Sequence, residues 1–513
     1  MKLALLSGLL IGTSYIPFPP WALIFAFVPL WTAVGQTSSI RRAFALGWVT
    51  QFVLTLIGFH WVAYTAVEFG HLPWILGLLA LLGFCGFASL HVALGAALWK
   101  AIEKRTRPAP LLRALGIASA TALCERLYPM IFPWNLGYAW LPSGMPLIQT
   151  ADIFGFEGLS TLTFLANGLL YFALHRSTPS QRVRPALGVF LGFLLLSAMG
   201  LNRGTPWSPS PEDPQLKALV VQANIGNLEK YYAERGSSFR TAIIEKYLVI
   251  AQEAYDKNPS ADLFVFPETA MPMELESTFQ DHALNRSVRD FVIGKSKPLF
   301  TGAYSKDLGS SAVYNGVFLL DSQGDVVARY RKSILLAFGE YFPGSDTFPI
   351  LKNLVDKYVP AISHFGRGEG PTVFSSDHGR LGPLICYEGL YPLFVSAVVE
   401  KGAEVLINLT NDSWFGTYFE PHQHMWMTLA RAIEARRPLI RATNTGITTA
   451  ILADGTTLEK SDQNGEWYGL FTVPYKKNPE ITFYSQHGDW IPHLLGLFFF
   501  TIVGLSYATT RPR

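Results

Sequence analysis

The first 202 residues alternate long apolar runs with short polar segments, and one further apolar run lies close to the C-terminal end. A membrane-spanning helix needs about 20 predominantly apolar residues. On this pattern we predict eight spans, at 2–17, 20–36, 43–64, 74–99, 111–129, 155–174, 186–202 and 490–507. The first two are short for a bilayer core. The chain is therefore predicted to contain a polytopic α-helical membrane domain with seven spans before a long polar region and one span after it.

The pattern changes near residue 216, where short Val-, Ile-, Leu- and Phe-rich runs alternate with helical segments. Unbroken apolar runs that end in polar residues are typical of strands covered on both faces, with functional side chains at their carboxyl ends. The strand candidates are LKALVVQANI, ADLFVFPET, PLFTGAY, the hairpin YNGVFLLDSQGDVVARYRK, LGPLICYE, AEVLINLTN and TGITTAILADGTTLE, and the helix candidates are 239–258 and 422–437. This alternation predicts a layered α/β domain.

These patterns divide the chain into four parts. Residues 1–202 form the membrane domain, and the Pro- and Ser-rich stretch 203–216 is a linker. Residues 217–487 form the α/β domain, and residues 488–513 hold the last span and a short tail.

The composition supports a membrane protein. Half of the residues are hydrophobic and 15% are charged, compared with about 25% in typical globular proteins. The net charge of +3 gives no bulk attraction for a polyanion, so we expect no nucleic-acid partner. Three cysteines are too few for a disulfide framework, and Cys85 and Cys124 lie in apolar stretches where cysteine acts as a small hydrophobic residue. The apolar start of the chain is interpreted as an uncleaved first span.

Positive charges mark one side of the predicted membrane domain. They fall in alternate loops and at the C-terminal end: Arg41, Arg42, Lys100, Lys104, Arg105, Arg107, Arg176, Arg182, Arg184, Arg511 and Arg513. The intervening loops carry none. The positive-inside rule then places both termini in the cytoplasm and exports the region from about 203 to 489.

Two further segments have alternative interpretations. Loop 126–152 carries two Trp, two Tyr and four Pro, and is either an interfacial aromatic belt or a platform by which lipid enters a site. Segment 342–370 is a long connection with Gly, Pro and several apolar residues, and is either a mobile lid that touches lipid or a surface excursion packed on its own domain.

Three predicted strand ends carry a candidate base, cation and nucleophile. FVFPET contains Glu268, YRK contains Lys332, and ICYE contains Cys386. A thiol becomes strongly nucleophilic when a neighbouring group accepts its proton, a carboxylate can be that base, and an ammonium group stabilises the oxyanion of a tetrahedral intermediate. Each residue alone is better explained as a surface carboxylate, a surface lysine or a core cysteine. Together they suffice for acyl transfer through a thioester.

In this order, FPET, YRK and ICYE resemble the carbon–nitrogen hydrolase (nitrilase) superfamily, and the seven-plus-one spans narrow the resemblance to the apolipoprotein N-acyltransferases. The stretches VVQANI, KSILLAFGEYFP and INLTNDSWFG also match. The resemblance implies an exported α/β nitrilase-like domain with an α-β-β-α sandwich fold. It makes Glu268 the base, Lys332 the oxyanion cation and Cys386 the nucleophile.

The resemblance also implies supporting roles for Glu340, Tyr387 and Glu388. The family often has a lysine followed by tryptophan after the first strand, whereas this chain has Lys230 followed by tyrosine. Tyr231 is therefore the candidate for the aromatic, substrate-binding role.

The implied reaction moves a fatty acyl chain from a phospholipid, with phosphatidylethanolamine the expected donor, through a cysteine thioester to the N-terminal amine of a diacylglyceryl-cysteine lipoprotein. This is the last step of lipoprotein maturation. The expected partners are the phospholipid acyl donor, the diacylated apolipoprotein acceptor and membrane lipids. The expected location is the bacterial inner membrane with a periplasmic catalytic domain. One chain carries every part, so we expect a monomer and no cofactor.

Two alternatives remain open. A membrane-tethered amidase or nitrilase would use the same triad with water as acceptor. A transporter or channel with a non-catalytic exported domain is disfavoured because the spans hold few paired charges, with Glu68 and Glu125 near segment ends. His422 and His424, two residues apart on a predicted helix, point to different sides and are interpreted as structural rather than metal-binding.

Overall fold

The computed structural model describes residues 1–68, 70, 72–105, 110–131, 133–175, 179–226, 237–276, 282–337, 339–342, 365–416, 418–488 and 490–510. The chain forms two compact units. The membrane unit comprises Met1–Val67, His71–Pro206 and His487–Arg513, and the α/β unit comprises Glu68–Gly70 and Trp207–Gln486.

The N-terminal part of the chain is helical. Its helices are α1 (Lys2–Gly12), α2 (Val28–Gly35), α3 (Ile40–Gly58), α4 (Trp61–Glu68), α5 (Trp74–Phe87), α6 (His91–Arg105), α7 (Pro110–Leu127), α8 (Ala151–Leu174) and α9 (Pro179–Gly204), and the C-terminal helix is Trp490–Thr510.

Several of these helices suit a bilayer. Among the described residues, four stretches are long and apolar enough to cross a membrane: Ile40–Gly58, Trp74–Lys104, Pro146–Leu174 and Val183–Trp207. Lys2–Gly12 and Trp490–Thr501 are shorter apolar helices. The apolar helices agree with a membrane protein, while the count of eight spans stays a prediction.

Two predicted spans are interrupted, which corrects the simple picture of one helix per apolar run. The run 43–64 breaks between Gly58 and Trp61, and the run 74–99 breaks between Phe87 and His91. At the second break, Trp48 Nε1 donates to the Gly86 carbonyl at 2.9 Å and the Tyr128 hydroxyl donates to the Phe87 carbonyl. Side chains from elsewhere in the chain thus satisfy two of the carbonyls that the end of α5 leaves without partners inside the helix.

The aromatic-belt interpretation of loop 126–152 is wrong for most of its rings. Trp134, Tyr138 and Trp140 are only 4%, 0% and 3% exposed within the membrane unit. Trp140 Nε1 donates to Thr163 Oγ1 of α8 at 2.9 Å. Rings that are packed inside the protein are not available to the lipid headgroups.

Twelve strands lie in the described part of the α/β unit. They are β1 (Gln215–Gln222), β2 (Leu263–Val265), β3 (Met271–Glu274), β4 (Leu299–Ser305), β5 (Tyr314–Leu320), β6 (Val326–Arg331), β7 (Phe374–Ser376), β8 (Gly379–Ile385), β9 (Val405–Thr410), β10 (Leu439–Thr443), β11 (Thr449–Ile451) and β12 (Trp467–Pro474). One sheet has the order β12-β1-β2-β4-β5-β6 with β3 beside β4, and the other has the order β11-β10-β9-β8-β7.

Helices cover both sheets. Helices α10 (Ser237–Lys257) and α11 (Ala283–Lys295) contribute apolar residues to a core with the first sheet, where Ile244 and Val292 pack with Phe264. Helices α12 (Pro392–Glu400) and α13 (Phe419–Ala435) lie against the second sheet.

The two sheets face each other, and polar side chains link them. Gln222 of β1 accepts hydrogen bonds at its Oε1 from Thr443 of β10 at 2.9 Å, Thr448 at 2.7 Å and Ser461 at 3.0 Å. The layers therefore run helix, sheet, sheet, helix, which confirms the predicted α-β-β-α sandwich.

Candidate active site

Glu268 lies just after β2, in a backbone segment that passes very close to β4. Glu268 is 7% exposed, and Thr269 has a φ of +49°. A Cβ added to Gly302 of β4 would lie 2.7 Å from the Glu268 Cα and 2.6 Å from the Pro267 carbonyl oxygen. Only a glycine leaves room for this approach. On the other side, Asn315 Nδ2 donates to Glu268 Oε1 at 2.7 Å.

Lys332 follows β6 and lies between two carboxylates. Its ammonium is 2.9 Å from a Glu340 carboxylate oxygen and 3.5 Å from Glu268 Oε1. Its backbone N–H donates to the Asn315 carbonyl at 2.8 Å, so the same asparagine holds both the base and the lysine. The predicted supporting residue Glu340 also accepts from the Leu336 N–H at 2.8 Å. The structure thus brings Glu268, Lys332 and Glu340 together.

The lysine keeps its charge although its side chain is 1% exposed. Burial alone would lower the pKa of Lys332, but the negative charges of Glu340 and Glu268 outweigh burial and raise it above its ordinary value. An ammonium group is the form that stabilises an oxyanion.

Cys386 begins a short 3₁₀ turn, Cys386–Leu390, directly after β8. Its φ of +52° is in the left-handed region, which costs a non-glycine residue about 1–3 kcal/mol. Asn408 Nδ2 of β9 donates to the Cys386 carbonyl at 3.0 Å. A strained backbone at a residue with reactive chemistry is a common feature of functional sites.

The Cys386 thiol is 4% exposed and feels the charges of both other triad candidates. Burial raises its pKa, the negative charge of Glu268 raises it further, and the positive charge of Lys332 lowers it. The net effect places its pKa well above that of an ordinary cysteine, so the resting group is a neutral thiol. Attack by this sulfur requires a base to remove the proton, and Glu268 is the carboxylate that acts on it most strongly.

Glu388 is fully buried and accepts four hydrogen bonds. The donors are the Tyr330 hydroxyl at 2.6 Å and the backbone N–H groups of Ser333 at 2.7 Å, Ile334 at 3.1 Å and Ile385 at 2.9 Å. Burial raises the pKa of Glu388, whereas the hydrogen bond from Tyr330 and the positive charge of Lys332 lower it. Burial is the larger effect, so the pKa lies above its ordinary value. Acting only as an acceptor suits the ionised form.

Tyr387 points into the protein interior. Its hydroxyl donates to Glu420 Oε1 at 2.6 Å, and its ring stacks on His424 with centroids 4.6 Å apart and an interplanar angle of 14°. The side chain is 4% exposed. Tyr387 therefore supports the turn at Cys386 from behind.

Two polar residues of the site were not identified from the sequence. Asn315 lies in the apolar hairpin strand β5, and its signal was a single polar residue in the run YNGVFLL. Thr410 ends β9 and forms a hydrogen bond to Cys386 that lowers the thiol pKa. Both are short polar residues at strand positions that would otherwise be apolar.

A buried group of Asp412, Glu420 and His424 places three potential metal-ligand atoms within 4.8 Å of one another. Arg441 Nη2 lies 2.6 Å from Asp412 Oδ2, so a cation already balances this group. Burial would raise the pKa of Asp412, but the charge of Arg441 and the hydrogen bonds with Arg441 and His424 lower it to about 2. Residues of this kind, already paired with a guanidinium, do not make a good site for a second cation. His422 faces elsewhere and pairs with the Tyr418 carbonyl.

Tyr231, the candidate for the aromatic substrate-binding role, lies outside the described residues, as does most of segment 342–370. Both assignments stay predictions.

Comparison with protein families gives two matches. Residues 213–474 match the family described as carbon-nitrogen hydrolase, which covers the α/β unit. Residues 7–169 match the apolipoprotein N-acyltransferase N-terminal domain.

Individual relatives are similar in sequence to nearly the whole chain. The apolipoprotein N-acyltransferase of Bdellovibrio bacteriovorus is 47% identical, with 99% of this chain and 94% of the relative covered. That of Geobacter metallireducens is 33% identical, with coverages of 95% and 91%. Among solved structures, an amidase from Nesterenkonia is 18% identical with a TM-score of 0.39 and covers 55% of this chain and 98% of its own.

Proposed function

The chain belongs to the apolipoprotein N-acyltransferase family, and on that premise we propose that it transfers a fatty acyl chain in two half-reactions at the Cys386 thiol. The family makes the protein an acyltransferase of lipoprotein maturation. The assignment of roles to individual residues is our proposal. The observation that carries it is geometric: the Lys332 ammonium lies 3.5 Å from Glu268 in one sheet, and both charges act on the thiol of Cys386, which sits in a strained turn at the end of β8 in the facing sheet.

In the first half-reaction Glu268 removes the thiol proton, and the sulfur attacks an acyl ester carbonyl of a phospholipid. The oxyanion of the tetrahedral intermediate forms beside the Lys332 ammonium, which is held by Glu340. The carbon–oxygen bond to glycerol then breaks, and Glu268 returns its proton to the departing oxygen. The products are a lysophospholipid and an acyl thioester on Cys386. Phosphatidylethanolamine is the donor we propose.

In the second half-reaction the α-amine of a diacylglyceryl-modified N-terminal cysteine attacks the thioester. Glu268 accepts the amine proton, the second oxyanion forms beside Lys332, and the carbon–sulfur bond breaks. The proton returns to the Cys386 sulfur, and the lipoprotein leaves with an amide-linked acyl chain. Such a ping-pong sequence divides one difficult transfer into two easier steps. Burial of the thiol protects the thioester from water, which favours an amine acceptor.

Membrane attachment suits both substrates because each is anchored in a bilayer. Exposing an acyl chain to water costs about 0.8 kcal/mol of free energy for each methylene. An enzyme with apolar surfaces that cover the chain avoids this cost. We place the enzyme in the bacterial inner membrane, with the α/β unit in the periplasm and both termini in the cytoplasm. The asymmetric loop charges support this orientation. We further propose that the monomer is active, since one chain contains all the residues invoked.

The test is an intact-mass spectrum of the detergent-purified protein after incubation with a defined phosphatidylethanolamine. We expect one added acyl mass that disappears with neutral hydroxylamine and moves to a synthetic diacylated lipopeptide. Cys386→Ala should lose the adduct, and Cys124→Ala, which changes a cysteine of α7, should keep it.

A different outcome would favour the hydrolase alternative. If the wild-type protein formed no stable adduct but released free fatty acid or ammonia, a water-using amidase or nitrilase would explain the site better. An adduct that persisted in Cys386→Ala would remove this cysteine from the mechanism.

A further inference from the structure

Arg441 is a fully buried arginine of β10 that the proposed chemistry does not use. The parallel pairing of β9 with β10 places Asn408 directly beside it. Its two terminal nitrogens reach two different acceptors: Nη1 donates to Asn408 Oδ1 at 3.1 Å, and Nη2 donates to Asp412 Oδ2 at 2.6 Å. A guanidinium group can hold two acceptors in a fixed geometry, whereas a lysine ammonium acts as a point charge.

The first acceptor leads to the backbone of the nucleophile. Asn408 uses its oxygen to accept from Arg441 and its Nδ2 to donate to the Cys386 carbonyl at 3.0 Å. The Arg441 guanidinium therefore orients the Asn408 amide through its oxygen. The NH₂ group of the same amide then holds the carbonyl of Cys386, whose φ is +52°.

The second acceptor leads to the residue after the nucleophile. Asp412 Oδ1 lies 2.9 Å from His424 Nδ1, and the His424 ring stacks on Tyr387. All of these side chains are 4% exposed or less. Asp412 thus connects Arg441 to the side chain that supports the turn from behind.

We propose that Arg441 is a positioning residue that holds the turn at Cys386 from two sides, through Asn408 on one arm and through Asp412 and His424 on the other. The strained backbone at Cys386 persists only where its surroundings determine it strongly. The two arms supply that constraint, and they set where the thiol lies between Glu268 and Lys332. This inference rests on the proposed role of Cys386 as nucleophile.

Two variants separate positioning from general loss of packing. Arg441→Lys keeps the charge but cannot hold both acceptors at once. His424→Phe keeps a ring against Tyr387 and changes no charge at neutral pH, since burial and Arg441 lower the pKa of His424. It breaks the second arm alone.

Arg431→Lys is the matched control. Arg431 of α13 is also fully buried, and its guanidinium pairs with Glu434 at 3.0 Å. A lysine at this position can keep a single carboxylate partner. The control therefore reports the cost of replacing a buried arginine in this unit without changing either arm.

The experiment measures the single-turnover rate of acyl-enzyme formation and the pH midpoint of Cys386 alkylation by iodoacetamide, on folded full-length protein. We expect Arg441→Lys to lower the rate about 100-fold and His424→Phe about 10-fold, because small displacements of reacting groups have effects of this size. The KM for the phospholipid should stay within about twofold, since the loss falls on the chemical step. The alkylation midpoint should move in both variants and stay unchanged in Arg431→Lys.

Three results would overturn the proposal. The first is that both variants fold and form the acyl-enzyme within about twofold of the wild-type rate. The second is that Arg431→Lys loses as much activity as Arg441→Lys. The third applies if Arg441→Lys does not fold: a His424→Phe protein with unchanged acylation rate and unchanged alkylation midpoint would then overturn the proposal, which requires both arms. If the wild-type protein forms no acyl-enzyme, the proposed function fails, and the alkylation midpoints still decide whether Arg441 positions the thiol.

Discussion

The Glu388 carboxylate accepts a hydrogen bond of 2.7 Å from the backbone N–H of Ser333. Glu388 is two residues after Cys386, and Ser333 is the residue after Lys332. A single buried carboxylate therefore ties the turn that carries the candidate nucleophile to the segment that carries the candidate oxyanion cation. Cys386 follows β8 and Lys332 follows β6, and these two strands belong to different sheets. The position of the thiol relative to the ammonium therefore depends on a link of this kind.

We predict that Glu388→Gln lowers the rate of acyl-enzyme formation about 100-fold. A glutamine amide has a single acceptor oxygen, and its NH₂ group takes the place of Oε2. That NH₂ group then faces the Ile385 N–H, which is also a donor, so the hydrogen bond between Ile385 and Oε2 is lost. The unfolding free energy should fall by about 1–3 kcal/mol for one buried unpaired donor. Denaturation of the purified protein and single-turnover mass spectrometry would measure the two effects.

Glu404→Gln is the control for that prediction. Glu404 is 5% exposed and likewise accepts from two backbone N–H groups, those of Arg380 at 2.9 Å and Asn478 at 2.8 Å. It should lose a similar amount of stability and keep the acylation rate. Equal loss of rate in both variants would mean that Glu388 contributes only to folding.

The close passage of Glu268 over Gly302 gives a second prediction. Gly302→Ala places a Cβ 2.6–2.7 Å from three backbone atoms around Glu268, which forces that segment away from β4. We expect the acylation rate to fall at least about 10-fold, because the displaced base no longer meets the thiol. Gly294→Ala of α11 is the control, since its added Cβ meets nothing within 4 Å. An active Gly302→Ala protein would show that the position of Glu268 tolerates this displacement.

Much of the α/β unit was predictable because its strands are apolar on both faces. The runs containing β1, β4, β8 and β9 were identified, and the residues at the ends of β2, β6 and β8 gave the triad candidates. Four strands lie outside the predicted runs: the short strands β3 and β7, and the longer strands β10 and β12. β10 contains Arg441 inside an otherwise apolar run. β12 pairs with β1, with Trp467 opposite Gln222, although the two strands lie at opposite ends of the α/β unit's sequence. The local sequence of β12 gives no sign of such a distant pairing.

The membrane unit and the supporting residues were harder to predict for a related reason. Apolar composition shows that a segment can be helical, but the break after α5 depends on donors from Trp48 and Tyr128 elsewhere in the chain. Similarly, His424 has a role only because Asp412 and Tyr387 are brought to it by the fold. Its spacing from His422 excluded a shared metal site but gave no sign of this arrangement.

The charges around Cys386 predict opposite pH effects for two variants that both abolish acyl transfer. Glu268 raises the pKa of the thiol and Lys332 lowers it. Since alkylation follows the thiolate, Glu268→Gln should move the pH midpoint of iodoacetamide alkylation downward, and Lys332→Met should move it upward. The measurement is the alkylation rate of Cys386 across pH by mass spectrometry, on folded material separated by gel filtration.

Lys332→Met also leaves Glu268 and Glu340 without their buried cation, so a loss of about 3–5 kcal/mol in unfolding free energy is expected. Shifts in the same direction for the two variants would contradict the proposed arrangement of charges. Acyl transfer that survived either substitution would contradict the assigned roles.

The last prediction concerns orientation in the membrane, which rests on loop charges alone. Positive residues cluster in alternate loops, which places residue 38 in the cytoplasm and residue 208 outside it. Both are exposed serines that can be changed to cysteine: Ser38→Cys and Ser208→Cys, each in a protein whose three native cysteines are replaced by alanine. In spheroplasts, a membrane-impermeant maleimide should label the Ser208→Cys protein at once and the Ser38→Cys protein only after the membrane is permeabilised.

The reverse labelling would invert the topology and move the α/β unit to the cytoplasm, where the acyl acceptor proposed here would not meet it. Labelling of both positions in intact spheroplasts would instead show that the number of spans between them is even.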